Sequence, residues 1–124
     1  MQKIHALQCK IGDLEDPGAE LVLGRQCADI SKLNHIFRAH GPAVPTESLQ
    51  RHDAMQKAFV EQVLACDLPP ESWQQAALGV KGGGLGYRQA VDVNLPAYVA
   101  SRIECRPFVA RIFEGIQRLS LIHI

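Results

Sequence analysis

Apolar side chains recur along this chain at intervals of three and four residues, and the breaks between runs fall at glycine and proline. Ile4, Leu7, Ile11 and Leu14 predict a first helix with one apolar face, weakened at its end by Gly12. Asp16-Pro17 reads as a helix start: Asp16 can cap the free N–H groups, and Pro17 suits the first helical position because it has no N–H to leave unpaired. Leu23, Cys27, Ile30, Leu33 and Phe37 continue the spacing, with a break near Asp29, where Asp29 or Ser31 can cap a second helix running to His40. Gly41-Pro42 ends that helix. Thr46 or Ser48 is the expected cap of the next one, with Met55, Phe59 and Val63 on its apolar face and Leu64 and Cys66 extending it. Leu68-Pro69-Pro70 stops it, and a short helix follows with Glu71 in its first turn and Trp73, Ala76 and Ala77 as apolar anchors. Beyond the glycines, Tyr87 to Glu104 predicts a helix with Val91, Leu95, Tyr98 and Arg102 at matching spacing, kinked or restarted at Pro96. Pro107 then opens a last amphipathic helix in which Phe108, Ile112 and Ile116 share a face.

No segment alternates with period two, and there is neither an Asn-Gly hairpin signal nor an internal repeat. The expected class is all-α. It is an irregular bundle of about six or seven short helices, with the glycine-rich turn Gly82-Gly83-Gly84-Leu85-Gly86 before the penultimate helix.

Length and composition narrow this picture. A chain of 124 residues with 47% hydrophobic content can bury one modest core, so residues 1–118 are read as a single helical domain or part-domain. Thirteen basic and thirteen acidic residues balance, which removes any overall pull toward nucleic acid or anionic lipid. The balance is uneven along the chain: residues 1–80 carry seven basic and ten acidic side chains, residues 81–124 six and three. Cys9, Cys27, Cys66 and Cys105 are widely spaced, lack a Cys-x-x-Cys pair, and lie on or near apolar stripes, where cysteine acts as a small hydrophobe. Neither a zinc site nor a disulfide framework is expected. No apolar run approaches the roughly 18–20 residues that cross a bilayer, and the chain is expected to be an intracellular protein without a membrane partner.

The candidate chemistry is sparse. Four glycines within five positions require a reason, since glycine loses more backbone entropy on folding than any other residue. A phosphate loop would need Gly-Lys-Ser/Thr, but Tyr87-Arg88 follows Gly86, and a dinucleotide fingerprint would need a preceding strand. A tight turn with positive φ, bringing two helices close together, fits the local pattern better. His5, His35, His40 and His52 are scattered and read as surface or helix-end residues, and His52 and Asp53, being adjacent, should point to different sides of a helix. Ser101 and Cys105 stand one turn apart with no base beside them, and Trp73 and Tyr98 read as core anchors rather than stacking platforms. No catalytic site, metal, cofactor or small-molecule substrate is expected.

Read as ordered blocks, the sequence resembles one family. Leu78-Gly79-Val80-Lys81-Gly82-Gly83-Gly84-Leu85-Gly86-Tyr87-Arg88-Gln89-Ala90, followed by Leu95-Pro96-Ala97-Tyr98-Val99-Ala100-Ser101, is similar to the segment behind the polymerase core of non-LTR (LINE-type) retroelement reverse transcriptases. The matching positions are Gly83, Gly84, Leu85, Gly86, Arg88, Ala90, Ala97, Tyr98, Ala100 and Ser101. Upstream, Leu21 to Cys27 with Ser31 to Arg38 resembles the family's helix pair, and Trp73 to Leu78 its short tryptophan-bearing helix, so the likeness covers roughly residues 13–113. Gly79 stands where the family usually has proline, and Tyr87 where it has an aliphatic residue.

The resemblance implies a parent enzyme that copies RNA into DNA with metal ions held by an aromatic-x-Asp-Asp motif. No Asp-Asp pair occurs in this chain. The implied role is therefore structural: a helical region after the thumb, contacting template and primer or joining a later domain, with the rest of the parent polymerase as partner. A separate reading is an anion- or nucleic-acid-binding module that uses Arg88, Arg102, Arg106 and Arg111. The alternative is an independent helical interaction module. Leu119-Ser120-Leu121-Ile122-His123-Ile124 is set apart as a tail that resembles translated sequencing-adapter read-through, or else forms an apolar last turn.

Overall fold

The computed structural model describes residues 1–122, with side chains through Leu119, so His123 and Ile124 of the predicted tail lie outside the described residues. Among the described residues the structure is helical and contains no strand: α1 (Gln2–Gly12), α2 (Pro17–Cys27), α3 (Asn34–His40), α4 (Thr46–Leu64), α5 (Pro70–Ala77) and α6 (Ala90–Ile122), with 3-10 turns at Ile30–Lys32, Gly41–Ala43 and Val80–Gly82.

The start of α2 follows the local chemistry. The Asp16 carboxylate accepts from the Gly18 and Ala19 N–H groups at 3.1 and 3.2 Å, and Glu20 reaches back to the Asp16 N–H at 3.1 Å. Pro17 and Pro70 each occupy a first turn, and Gly41 leaves α3 at a φ of 36°. Other expected caps are absent. Pro45 precedes α4 without a side-chain cap, so neither Thr46 nor Ser48 serves as one. Neither Asp29 nor Ser31 caps α3, which starts after Leu33, and the Ser31 hydroxyl donates to the Gln26 carbonyl instead.

Two cores hold the helices together. Ile4 and Ile11 of α1, Phe59, Val60 and Val63 of α4, Trp73 and Ala76 of α5, and Tyr87 form the first. Ile30, Phe37, Leu49 and Ala90 form the second, where α6 crosses α3 and α4. The face of α2 that turns inward is not the leucine stripe. Leu23 is exposed, while Gly24 is buried because Phe59 and the Tyr87 hydroxyl occupy the space a Cβ would fill. On α6 the inward residues are Ala90, Val93, Asn94 and Ala97, whereas Val91 and Leu95 face outward.

The largest departure from expectation is α6 itself. Tyr87–Glu104 and the helix from Pro107 are one 33-residue helix that begins at Ala90 and carries Pro96 and Pro107 inside it. The helices are thus not uniformly short, and the glycine turn precedes the last helix rather than the penultimate one. Each proline withdraws one backbone bond and crowds the preceding turn, but the bonds on either side remain available to carry the helix through. The cysteines also differ from their expected role: Cys9, Cys66 and Cys105 are exposed and Cys27 is half-buried, all as free thiols.

Candidate functional site

The glycine segment is an architectural corner between α5 and α6. Gly83 and Gly86 take φ values of 82° and 79°, which side chains rarely adopt. Gly84 is held by contact rather than by φ: a Cβ there would run into the Leu78 carbonyl and lie 2.6 Å from the Gln75 carbonyl oxygen. The backbone is pinned by Gly84 N–H to Gly79 O at 3.1 Å, Leu85 N–H to Ala76 O at 3.0 Å and Gly86 N–H to Leu78 O at 2.9 Å. The Gln75 amide donates to the Gly83 carbonyl, and the Arg25 guanidinium to the Leu85 carbonyl. These N–H groups are spent on the protein itself, so they do not converge on a phosphate.

The corner delivers Tyr87 into the first core, where its hydroxyl donates to the Leu21 carbonyl at 2.7 Å. Burial, with the Asp29 charge second, pushes its ionisation far up against the opposing Arg25 guanidinium and backbone N–H, so the phenol stays a donor. Tyr87→Phe should cost about 1 kcal/mol in urea unfolding, with α2 packing otherwise retained.

Asp53, on the neighbouring α4, then caps the start of α6: its carboxylate accepts from the Ala90 N–H at 2.6 Å and the Val91 N–H at 3.2 Å. Asp53→Ala should destabilise the protein by about 1–2 kcal/mol in thermal unfolding, and Asp53→Asn by less, because an amide oxygen still accepts one bond.

Beneath this cap sits a buried polar group that sequence reasoning missed. His52 is 1% exposed rather than a surface histidine, and Gln56 is 1% and Asp29 3% exposed. The Gln56 amide donates to the Ala28 carbonyl at 2.6 Å and lies 3.4 Å from His52 Nε2. His52 Nδ1 is 3.6 Å from Asp53 Oδ1, just beyond hydrogen-bond length, so the adjacent pair comes together after all. Desolvation drives the Asp29 carboxyl up to about 6, only partly opposed by the Ile30 N–H and the charges of His52 and Arg88. Every member of this group lies on or beside a contact between helices, and among the described residues none is hydrogen-bonded to a serine, cysteine or lysine side chain. A cleft of about 320 Å³ next to it is lined by Arg25, Asp29, Ser31, Asn34 and Arg88, where two cations and one buried acid are mixed.

The other residues singled out from the sequence are dispersed. Tyr98 packs over Gly41, where a Cβ would strike its ring, and Asn94 donates to the Gly41 carbonyl at 3.0 Å. Ser101 is half-buried at the end of that contact. Arg102 stacks on Tyr98 at 5.1 Å and donates to its hydroxyl at 2.9 Å. Arg102 and Arg106, four residues apart, share one side of α6, whereas Arg111 lies well over a quarter turn away above Phe108 and Arg88 sits in the preceding loop. The four arginines therefore form no continuous basic track.

What α6 does present is apolar. Arg38 pairs with Glu104, and beyond that pair every residue to Leu119 is exposed except Gly115. Ile103, Phe108, Ile112 and Phe113 are each more than 60% exposed, and Val109, Ile116 and Leu119 between 46% and 58%. The side of the helix that seats Ala90, Asn94, Ala97 and Ser101 on α3 and α4 continues as Cys105, Phe108, Ile112 and Leu119.

Among the described residues no group of three or more His, Cys, Asp or Glu could hold a metal ion, and no helix is long and apolar enough to cross a membrane. Comparison with protein-family profiles, curated proteins and solved structures gives no match.

Proposed function

We propose that this chain is a non-catalytic helical docking element: a compact base that holds out the far half of α6 for a partner to cover. One observation carries this reading. Seven large apolar side chains from Ile103 to Leu119 stand exposed, and Phe108, Ile112 and Leu119 among them continue the side of the helix that is buried from Ala90 to Ser101. In dilute solution the protein should bind an apolar fluorescent dye, and Ile112→Glu with Ile116→Glu should remove most of that signal at unchanged helix content. Equal dye binding by both proteins would overturn the reading.

For the parent, the resemblance to non-LTR reverse transcriptases supplies the candidate: a structural segment behind the polymerase core, contacting template and primer or linking to a later domain. In its favour, Gly83, Gly84 and Gly86 of the shared block all occupy positions that disfavour a side chain. The upstream reading frame tests this. A palm with an aromatic-x-Asp-Asp motif within polymerase distance supports it, and a frame without one removes it. The exposed stripe equally favours the second reading, an independent helical interaction module.

A further inference from the structure

We propose that the far half of α6 pairs antiparallel with the same segment of a second copy of this chain. The inference rests on the interaction-module reading and names its partner. Cys105, Val109, Ile112, Ile116 and Leu119 follow one another at spacings of four, three, four and three, the seam of a two-helix coil. The charged residues from Glu104 to Arg118 (Glu104, Arg106, Arg111, Glu114 and Arg118) lie off that seam.

The area is sufficient. Taking each exposed side chain at its exposed fraction of a typical area gives on the order of 700 Å² of apolar surface per chain, above the few hundred that a monomeric protein leaves open. Ile103 lies on the opposite side of the helix, so two such stripes face to face remove about 1,200 Å², the lower end of the range of stable specific interfaces.

The fold chooses the direction. The body of the protein occupies the seam side of α6 from Ala90 to Ser101, so two parallel copies would bring both bodies into the same space. Antiparallel pairing places each body beyond the end of the partner helix. The free stretch starts at Arg102, where the partner helix would run out, so the apolar side of α6 is covered without a gap.

Sedimentation equilibrium between about 1 and 100 µM, combined with thermal unfolding, tests the proposal. A monomer–dimer equilibrium is expected, with a dissociation constant in the micromolar range or tighter. Ile112→Glu with Ile116→Glu should be monomeric throughout while unfolding cooperatively, since both side chains are exposed and outside the two cores. In a protein carrying Cys9→Ser and Cys66→Ser, oxidation should leave Cys105 unlinked, because the two thiols stand roughly 15 Å apart along the antiparallel pair. A wild-type protein that unfolds cooperatively but stays monomeric overturns the dimer alone, and one that binds anionic vesicles instead assigns the face to lipid. A dimer insensitive to the double substitution, or a Cys105 disulfide, also overturns it. A chain with no cooperative transition overturns the module reading as well.

Discussion

Gly84→Ala should destabilise the protein by about 3 kcal/mol or more, lowering its midpoint of thermal unfolding by roughly 10 °C. The added methyl would meet backbone on two sides, the Leu78 and Gln75 carbonyls, and backbone cannot move aside as the tip of a long side chain can. Making room means pulling the loop off the end of α5, which breaks the Leu85 N–H to Ala76 O and Gly86 N–H to Leu78 O bonds. It also draws Tyr87 out of the core and Ala90 off its Asp53 cap. Gly79→Ala, five residues earlier, is the control: its φ is −61° and a Cβ there meets nothing within 4 Å, so the change should stay within about 0.5 kcal/mol. Differential scanning calorimetry of the pair checks both.

Asp29→Asn should stabilise the protein at neutral pH by about 2 kcal/mol and leave it nearly unchanged at pH 4. The Asp29 carboxyl titrates near 6 in the folded protein against an ordinary value of 3.8. Below about pH 3 both states hold the proton, and no penalty arises. Between about 4 and 6 the unfolded chain releases its proton while the folded chain keeps it, so stability falls as pH rises. Above 6 to 7 the folded state carries a buried charge and the loss is complete. Asparagine keeps the shape of the side chain without the charge, so the gap between variant and parent should open across that window. Urea unfolding at pH 4.5 and 7.5 measures it, and an equal gap at both values would contradict the assignment.

Much of the helical order was legible because its signals are local. Asp16-Pro17, Gly41-Pro42 and Pro69-Pro70 each act on their own turn of backbone, and Met55, Phe59 and Val63 reveal the face of α4 by spacing alone. The rest depended on residues far apart in the chain. Asp53 caps α6 from 37 residues away, and Gly24 is buried in place of Leu23 because Phe59 and Tyr87 come to it. His52 and Asp29 look like surface residues in the sequence but are almost fully buried in the fold. Pro107 misled for a different reason: proline suits the first turn of a new helix, but it can also sit inside a continuous one at the loss of one backbone bond, as both Pro96 and Pro107 do in α6. The exposed stripe was read as an ordinary apolar face, because a periodic pattern shows that a face exists but not whether anything covers it.

Native-state hydrogen exchange along α6 distinguishes an uncovered far half from one that packs on its own chain. In dilute solution, amides from Val93 to Ser101 should exchange only with global unfolding, while those from Arg106 to Leu119 exchange orders of magnitude faster and gain protection when the face is covered. Uniform protection from Val93 to Leu119 in the dilute monomer would mean that the far half of α6 packs on its own chain and offers no face to a partner.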